Sequence, residues 1–171
     1  VELATMDFMD AFYTLWLQEH TRGKLAFRTL QGWAVFARLC FGMAGAPLIW
    51  SRVAAAACRL AQAAFEPTEL RIQCYVDDPA LAIRGTPEQR KFLLAMLVLF
   101  WSMLGLQLNF AKGKRGASVP WIGATVSVEC KEHPGGMHWP GVVAKFQTQK
   151  YAELVENVEM VHNAKGMIPL K

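Results

Sequence analysis

Three aspartates carry the chemistry open to this chain. Asp77 and Asp78 stand side by side between two apolar runs, Arg71-Ile72-Gln73-Cys74-Tyr75-Val76 and Ala80-Leu81-Ala82-Ile83. The pattern predicts strand, tight turn, strand, with both acids at the turn. A third acid, Asp7, closes the apolar run Val1-Glu2-Leu3-Ala4-Thr5-Met6. Where two such turns meet, three carboxylates converge. They repel one another and raise their own pKa values unless cations neutralise them. Magnesium suits this role, because it is a hard ion that prefers oxygen ligands and shares its shell with substrate phosphates.

The elements that must position these acids follow from pattern and punctuation. Residues 1–8 read as a buried strand. Asp10 to Leu17 reads as a helical turn followed by an extended segment. Lys24 to Thr29 and Trp33 to Leu39 read as strands about a turn at Gln31-Gly32. The Gly-rich loop Gly42 to Pro47 precedes an Ala-dense helix from about Pro47 to Phe65, and proline suits a first helical turn. The carboxylate hairpin over 71–84 comes next. Thr86-Pro87-Glu88-Gln89 has the spacing of a capping box, and the helix it opens should run to Leu104 and stop at Gly105. Trp121 to Val128 reads as a strand. His133-Pro134-Gly135-Gly136 reads as a turn from which residues 136–139 pair back, and 142–162 as a last helix. Helices segregated on one face of an antiparallel sheet make an α+β domain.

The 171 residues suit one domain or part of a larger one. The chain opens on Val1 inside an apparent strand, so we expect an excised piece of a longer polypeptide. A hydrophobic fraction of 53% supports a sizeable core. The net charge of +4 is compatible with nucleic acid and equally with an ordinary solvated surface. Lys112-Gly113-Lys114-Arg115 is a local basic cluster that reads as a loop. Cys40, Cys58, Cys74 and Cys130 lack CxxC spacing, so a zinc site is not expected. A reducing, intracellular setting, cytoplasm or nucleus rather than secretion, fits best. The apolar segment 92–106 has 15 residues, short of the roughly 20 that cross a bilayer, and reads as a buried helix. The four histidines form no ligand pattern.

Tyr75-Val76-Asp77-Asp78 is not diagnostic alone, but its company is. Residues 3–126 resemble the palm of reverse transcriptases, especially those of retroelements and retroviruses, in five blocks taken in order. Met6-Asp7-Phe8-Met9-Asp10-Ala11-Phe12-Tyr13 resembles the family's Asp-x-x-x-Ala-Phe/Tyr motif. The resemblance implies metal binding at Asp7 and Phe8, contact with the deoxynucleoside triphosphate along Phe8, Met9, Asp10, Ala11 and Phe12, and a gate against ribonucleotides at Phe12. Asp10 reads equally as a helix N-cap. Arg22 to Thr29, then Phe36 to Pro47, look like Lys-Thr-Ala-Phe-Arg-Thr and Leu-Pro-Phe-Gly-Leu-x-x-Ala-Pro. That implies Phe41 and Gly42 beside the incoming base and Gly45, Ala46 and Pro47 against template or primer. Read without the family, these glycines form a plain loop before a helix.

The third block, Tyr75 to Asp78, completes the metal-binding triad with Asp77 and Asp78, and sets Tyr75 and Val76 against the primer. Pro79 departs from the family's apolar strand residue. Proline lacks an N–H and fits poorly in a paired strand, so a bent hairpin with Asp78 displaced is expected. Gly105-Leu106-Gln107-Leu108-Asn109-Phe110-Ala111-Lys112 resembles Gly-Leu-x-Leu-Asn-x-x-Lys and makes Lys112 a proton donor to leaving pyrophosphate. Trp121-Ile122-Gly123 looks like the short strand that holds the primer end.

The resemblance implies RNA-directed DNA polymerisation. Two magnesium ions, or manganese in their place, would serve transfer of deoxynucleotides to a primer 3′-hydroxyl on an RNA or DNA template. It also implies a retroelement polyprotein, with residues 1–128 as palm and partial fingers, 129–171 as a connection toward the thumb, and further fingers, thumb and ribonuclease H in the same polyprotein. No membrane partner is expected. Two other readings stay open: a catalytically decayed palm that binds nucleic acid or protein, and an ordinary α+β interaction domain with the acids far apart.

Overall fold

The computed structural model describes residues 1–132, 138–146 and 148–163. Its centre is a four-stranded antiparallel sheet in the order β4-β5-β1-β6, built from β1 (Glu2–Thr5), β4 (Leu70–Tyr75), β5 (Asp78–Ile83) and β6 (Lys114–Gly116). Strand alternation sets which side is buried. Leu70, Ile72, Leu81 and Ile83 fall on one face, with Ala4 directly opposite Leu81.

Two helices cover that face, α2 (Ala46–Ala64) and α3 (Pro87–Met103). The alanines of α2 explain its closeness to the sheet. Ala46, Trp50, Ala54, Ala57 and Ala61 recur at helical spacing and are all buried, so one small-residue stripe faces the strands. The Gln62 side chain then completes edge strand β4, donating to the Leu70 carbonyl at 2.9 Å and accepting from the Ile72 N–H at 3.0 Å. An edge that would otherwise offer free backbone groups is closed by an amide.

The capping box of α3 forms as its spacing predicts. Thr86 Oγ1 accepts from the Gln89 N–H and Gln89 Oε1 accepts from the Thr86 N–H. The helix is not buried all round, however. Leu97 and Trp101 are buried, whereas Phe92, Met96, Leu99 and Met103 are exposed. No helix among the described residues is long and apolar enough to cross a membrane.

A second sheet lies against the opposite face, with β7 (Ser118–Trp121), β8 (Ala124–Glu132) and β9 (His138–Phe146) in sequence order. Leu3, Ala80 and Ala82 from the central sheet and Val119, Val126 and Val142 from the second line one apolar cavity of about 280 Å³. A two-stranded hairpin, β2 (Ala26–Thr29) and β3 (Gly32–Val35), follows the short helix α1 (Glu19–Arg22).

Four further expectations need correction. Residues 121–128 are not one strand: Ile122 (φ 42°) and Gly123 (φ 81°) form the two-residue loop of the β7–β8 hairpin. Two positive φ angles match the twist such loops require. Residues 142–146 belong to β9 rather than a helix, because the β-branched pair Val142-Val143 ladders with Val128 and Ser127; α4 spans Thr148–Asn163. The strand expected over 33–39 ends at Val35, after which the chain changes partners: Leu17 donates to Ala37 and Leu39 donates to Leu15. The basic cluster is also more than a loop, since Lys114, Arg115 and Gly116 pair with β1. The turn expected over 133–136 lies outside the described residues, while His138 and Trp139 do pair back, with Glu132 and Lys131.

Candidate active site

Asp7 sits just past β1, where the ladder between β1 and β5 runs out. Met6 donates to the Pro79 carbonyl at 3.0 Å, and Phe8 donates to the Asp77 carbonyl at 2.9 Å. Main-chain bonds thus tie the loop that carries Asp7 to the turn that carries Asp77 and Asp78. From the other side, Asn109 donates to the Asp7 carbonyl and Met9 donates to the Gln107 carbonyl, both at 2.8 Å. These two bonds flank the bridge between Phe8 and Leu108.

Pro79 does not bend the hairpin. Tyr75 pairs with Asp78 and Cys74 with Pro79 in unbroken register, and Pro79 is fully buried. The ladder alternates, so the N–H that Pro79 lacks would point toward β1, at the end of that pairing. One terminal bond is lost while the carbonyl still accepts from Met6. Asp78 is the first residue of β5 and not part of the turn proper.

The turn itself is strained. Val76 has φ 56°, a region that β-branched residues rarely occupy. Trp50, fully buried in α2, holds it there by donating its Nε1–H to the Val76 carbonyl at 2.9 Å. The described non-glycine residues with positive φ are Asp10, Val76 and Ile122. Each lies in a block singled out by sequence, and such strain gathers at functional sites.

Asp7, Asp78 and Lys112 line one cavity of about 220 Å³, with Trp121 and Ile122 from the β7–β8 hairpin on its rim. The Trp121 indole N–H donates to the Asp78 carbonyl at 2.9 Å, fastening that hairpin to the carboxylates. Lys112 Nζ lies 2.9 Å from Asp7 Oδ2. That bond holds the Lys112 ammonium above its ordinary pKa, and the charges of Asp7, Asp78 and Asp77 add to it. Burial, followed by the negative charges of Asp77 and Asp7, pushes the Asp78 carboxyl up.

The donor set suits a hard divalent cation in kind, since every candidate ligand is an oxygen. Yet no group of three or more His, Cys, Asp or Glu side chains among the described residues is gathered closely enough to hold one. The positive charge beside Asp7 is the Lys112 ammonium.

The other candidates divide by burial. Phe8, Ala11 and Phe12 are buried. Phe8 packs edge-on against Trp50 and Trp101, so its side chain supports the site from the core. Phe12 packs edge-on against Phe41 with ring centroids 4.8 Å apart, which joins two sequence blocks, and against Trp50. Met9 and Asp10 line a separate cavity of about 370 Å³ with Tyr13, Thr14, Arg38, Gly105 and Gln107. Asp10 occupies the N-cap of a short 3-10 turn, but its side chain makes no capping bond. Gly42 has φ 90° in the loop before α2. Gly45 caps α2, Ala46 is a core residue, and Pro47 stands exposed in the first turn. Tyr75 is exposed beside the strained turn. Trp121 is the last residue of β7, and Ile122 and Gly123 form the hairpin loop after it.

Sequence reading missed Trp50 and Arg38. Trp50 looks like any aromatic on a helix, and nothing in the pattern shows its N–H reaching a turn 26 residues on. Arg38 donates to the Tyr13 carbonyl at 2.8 Å and stacks on Trp16 at 4.0 Å.

The family model described as reverse transcriptase (RNA-dependent DNA polymerase) matches residues 2–128. Among solved structures, a foamy viral protease-reverse transcriptase in complex with an RNA/DNA hybrid is similar with a TM-score of 0.64 at 14% identity, over 92% of this chain and 18% of that one. A second foamy viral protease-reverse transcriptase structure, with double-stranded DNA, gives a TM-score of 0.62 at 17% identity, over 74% of this chain and 21% of that one. This chain therefore spans about a fifth of the length of either. No curated protein sequence matches it.

Proposed function

Because the chain belongs to the reverse transcriptase family, we propose that it is the palm of an RNA-directed DNA polymerase from a retroelement polyprotein. Residues 1–128 form the palm with part of the fingers, and 129–171 lead toward the thumb. The observation that carries the reading is the shared cavity of Asp7 and Asp78, with the Asp77 main chain bonded to Phe8. Its partners are an RNA or DNA template, a DNA primer and deoxynucleoside triphosphates. Free thiols at Cys40, Cys58 and Cys74 support a reducing compartment.

Asp7, Asp77, Asp78 and the Phe8 main chain would hold two magnesium ions, which when bound supply positive charge to the triphosphate and acidify the primer hydroxyl. The rest falls to the chain's own side chains. Phe12, packed against Phe41 and Trp50, would serve as the gate against a ribose 2′-hydroxyl that the family implies. The strained turn at Val76, backed by Trp50, fixes where Asp77 and Asp78 stand. The Trp121–Gly123 hairpin tip, fastened to Asp78, positions the primer end. Lys112 gives a proton to the departing pyrophosphate as the primer 3′-oxygen displaces it from the α-phosphorus. Catalysis here is position and charge without a covalent enzyme intermediate.

Primer extension on an RNA template tests this. Asp77→Asn should abolish extension while shifting the thermal midpoint little; retained extension in that variant overturns the reading. The ion pair that neutralises Asp7 favours one alternative, a palm that binds nucleic acid without catalysis. It would appear as template binding by the wild-type chain, restored to its flanking segments, with no nucleotide added.

A further inference from the structure

We infer that Lys112 is an internal counter-ion that competes with divalent cations for Asp7, so that loading the site requires its ammonium to swing away. The inference rests on the proposed function of this site and adds a control to it.

The geometry identifies the partner that moves. The Asp7 side chain is 13% exposed and the Lys112 side chain 64% exposed. Asp7 is held by main-chain bonds on both sides, through Phe8 to Asp77 and from Asn109 to its own carbonyl. The Lys112 backbone is also fixed, in a turn where Lys112 donates to Asn109, Gly113 donates to Phe110 and Ala111 donates to Asn109 Oδ1. Only the four-carbon stem of Lys112 is free to swing, and most of it is already in solvent.

Charge explains why the contact exists. Asp7 and Asp78 face one cavity with Asp77 adjoining, so like charges are brought close together. A cation must answer that repulsion, and the ammonium does so at 2.9 Å. A dication on Asp7 Oδ2 and an ammonium on the same oxygen repel, so the two exclude each other. This accounts for carboxylates of the right kind that are not gathered into a cage: one of them is already engaged.

The test uses Mn²⁺ as probe, titrated into the 171-residue chain with the free ion followed by EPR. Wild type is compared with Lys112→Gln, Lys112→Arg and Asp7→Asn. Lys112→Gln should bind Mn²⁺ roughly 1.4- to 5-fold more tightly, the range that loss of one exposed competing ion pair supports. Lys112→Arg keeps the charge and should stay near wild type. Equal or weaker binding by Lys112→Gln, with binding lost in Asp7→Asn, overturns the inference and leaves the metal site standing. Binding by Asp7→Asn that equals wild type removes the site itself, and the inference with it.

Discussion

Trp50 is the residue through which the fold reaches the chemistry. Its indole is fully buried, packs edge-on against Phe8 and Phe12, and donates to the carbonyl of Val76 in its left-handed turn. Trp50→Phe keeps most of the packing and leaves that carbonyl without its partner. A cost of about 1–3 kcal/mol is expected, read as a lower urea midpoint, together with weaker Mn²⁺ binding as the turn relaxes. Unchanged Mn²⁺ affinity in a destabilised variant would show that the turn holds its shape without the indole. The aspartates were legible through the ordered blocks around them, since acids alone are ordinary turn residues. The Trp50 bond was not, because a side chain's reach across 26 residues leaves no local pattern. Pro79 misled for a related reason: its cost depends on which neighbour its missing N–H would face, which only the sheet order decides.

Among the elements, β1 is clamped from two sides. Glu2 accepts from Arg115 of β6 through Nε at 2.5 Å and Nη2 at 2.9 Å, and Arg90 Nε of α3 lies 2.9 Å from Glu2 Oε2. The Arg115 hydrogen bond holds the Glu2 carboxyl below its ordinary value of 4.5. A lowered carboxylate stabilises the fold above that value and loses its contribution as the pH falls through the folded one. Glu2→Gln should therefore melt lower at pH 7 by about 1 kcal/mol after allowance for solvent. The gap should close below pH 4.5, and a gap independent of pH would assign the loss to packing.

The β7–β8 tip offers a test of opposite sign. Ile122 sits at φ 42°, where asparagine is tolerated far better. Ile122→Asn should raise the thermal midpoint by the equivalent of about 1 kcal/mol; a fall would mean the half-exposed Ile122 side chain contributes packing that outweighs strain. Helices α2 and α3 were legible from alanine density, proline and the capping box. Residues 121–123 and 142–146 were not, since Ile122 is a poor turn residue and Val142-Val143 suits either a helix face or a ladder.

At the scale of the whole molecule, an antiparallel sheet with helices on one face brings strand ends 70 residues apart to one edge. The order of elements was enough to expect this α+β arrangement. The second sheet covering the opposite face was not foreseen, because residues 142–146 of its third strand read as helix and 121–128 read as one strand. That sheet nevertheless reaches the site, through the bond from Trp121 to Asp78. The proposed site at this edge would gather Asp7, Asp77 and Asp78 around divalent ions once Lys112 leaves. Anomalous diffraction from crystals soaked in Mn²⁺ tests it directly. Manganese should lie between Asp7 and the Asp77-Asp78 pair, with the Lys112 ammonium withdrawn from Asp7. Manganese ordered only elsewhere, with Lys112 still bonded to Asp7, would contradict it.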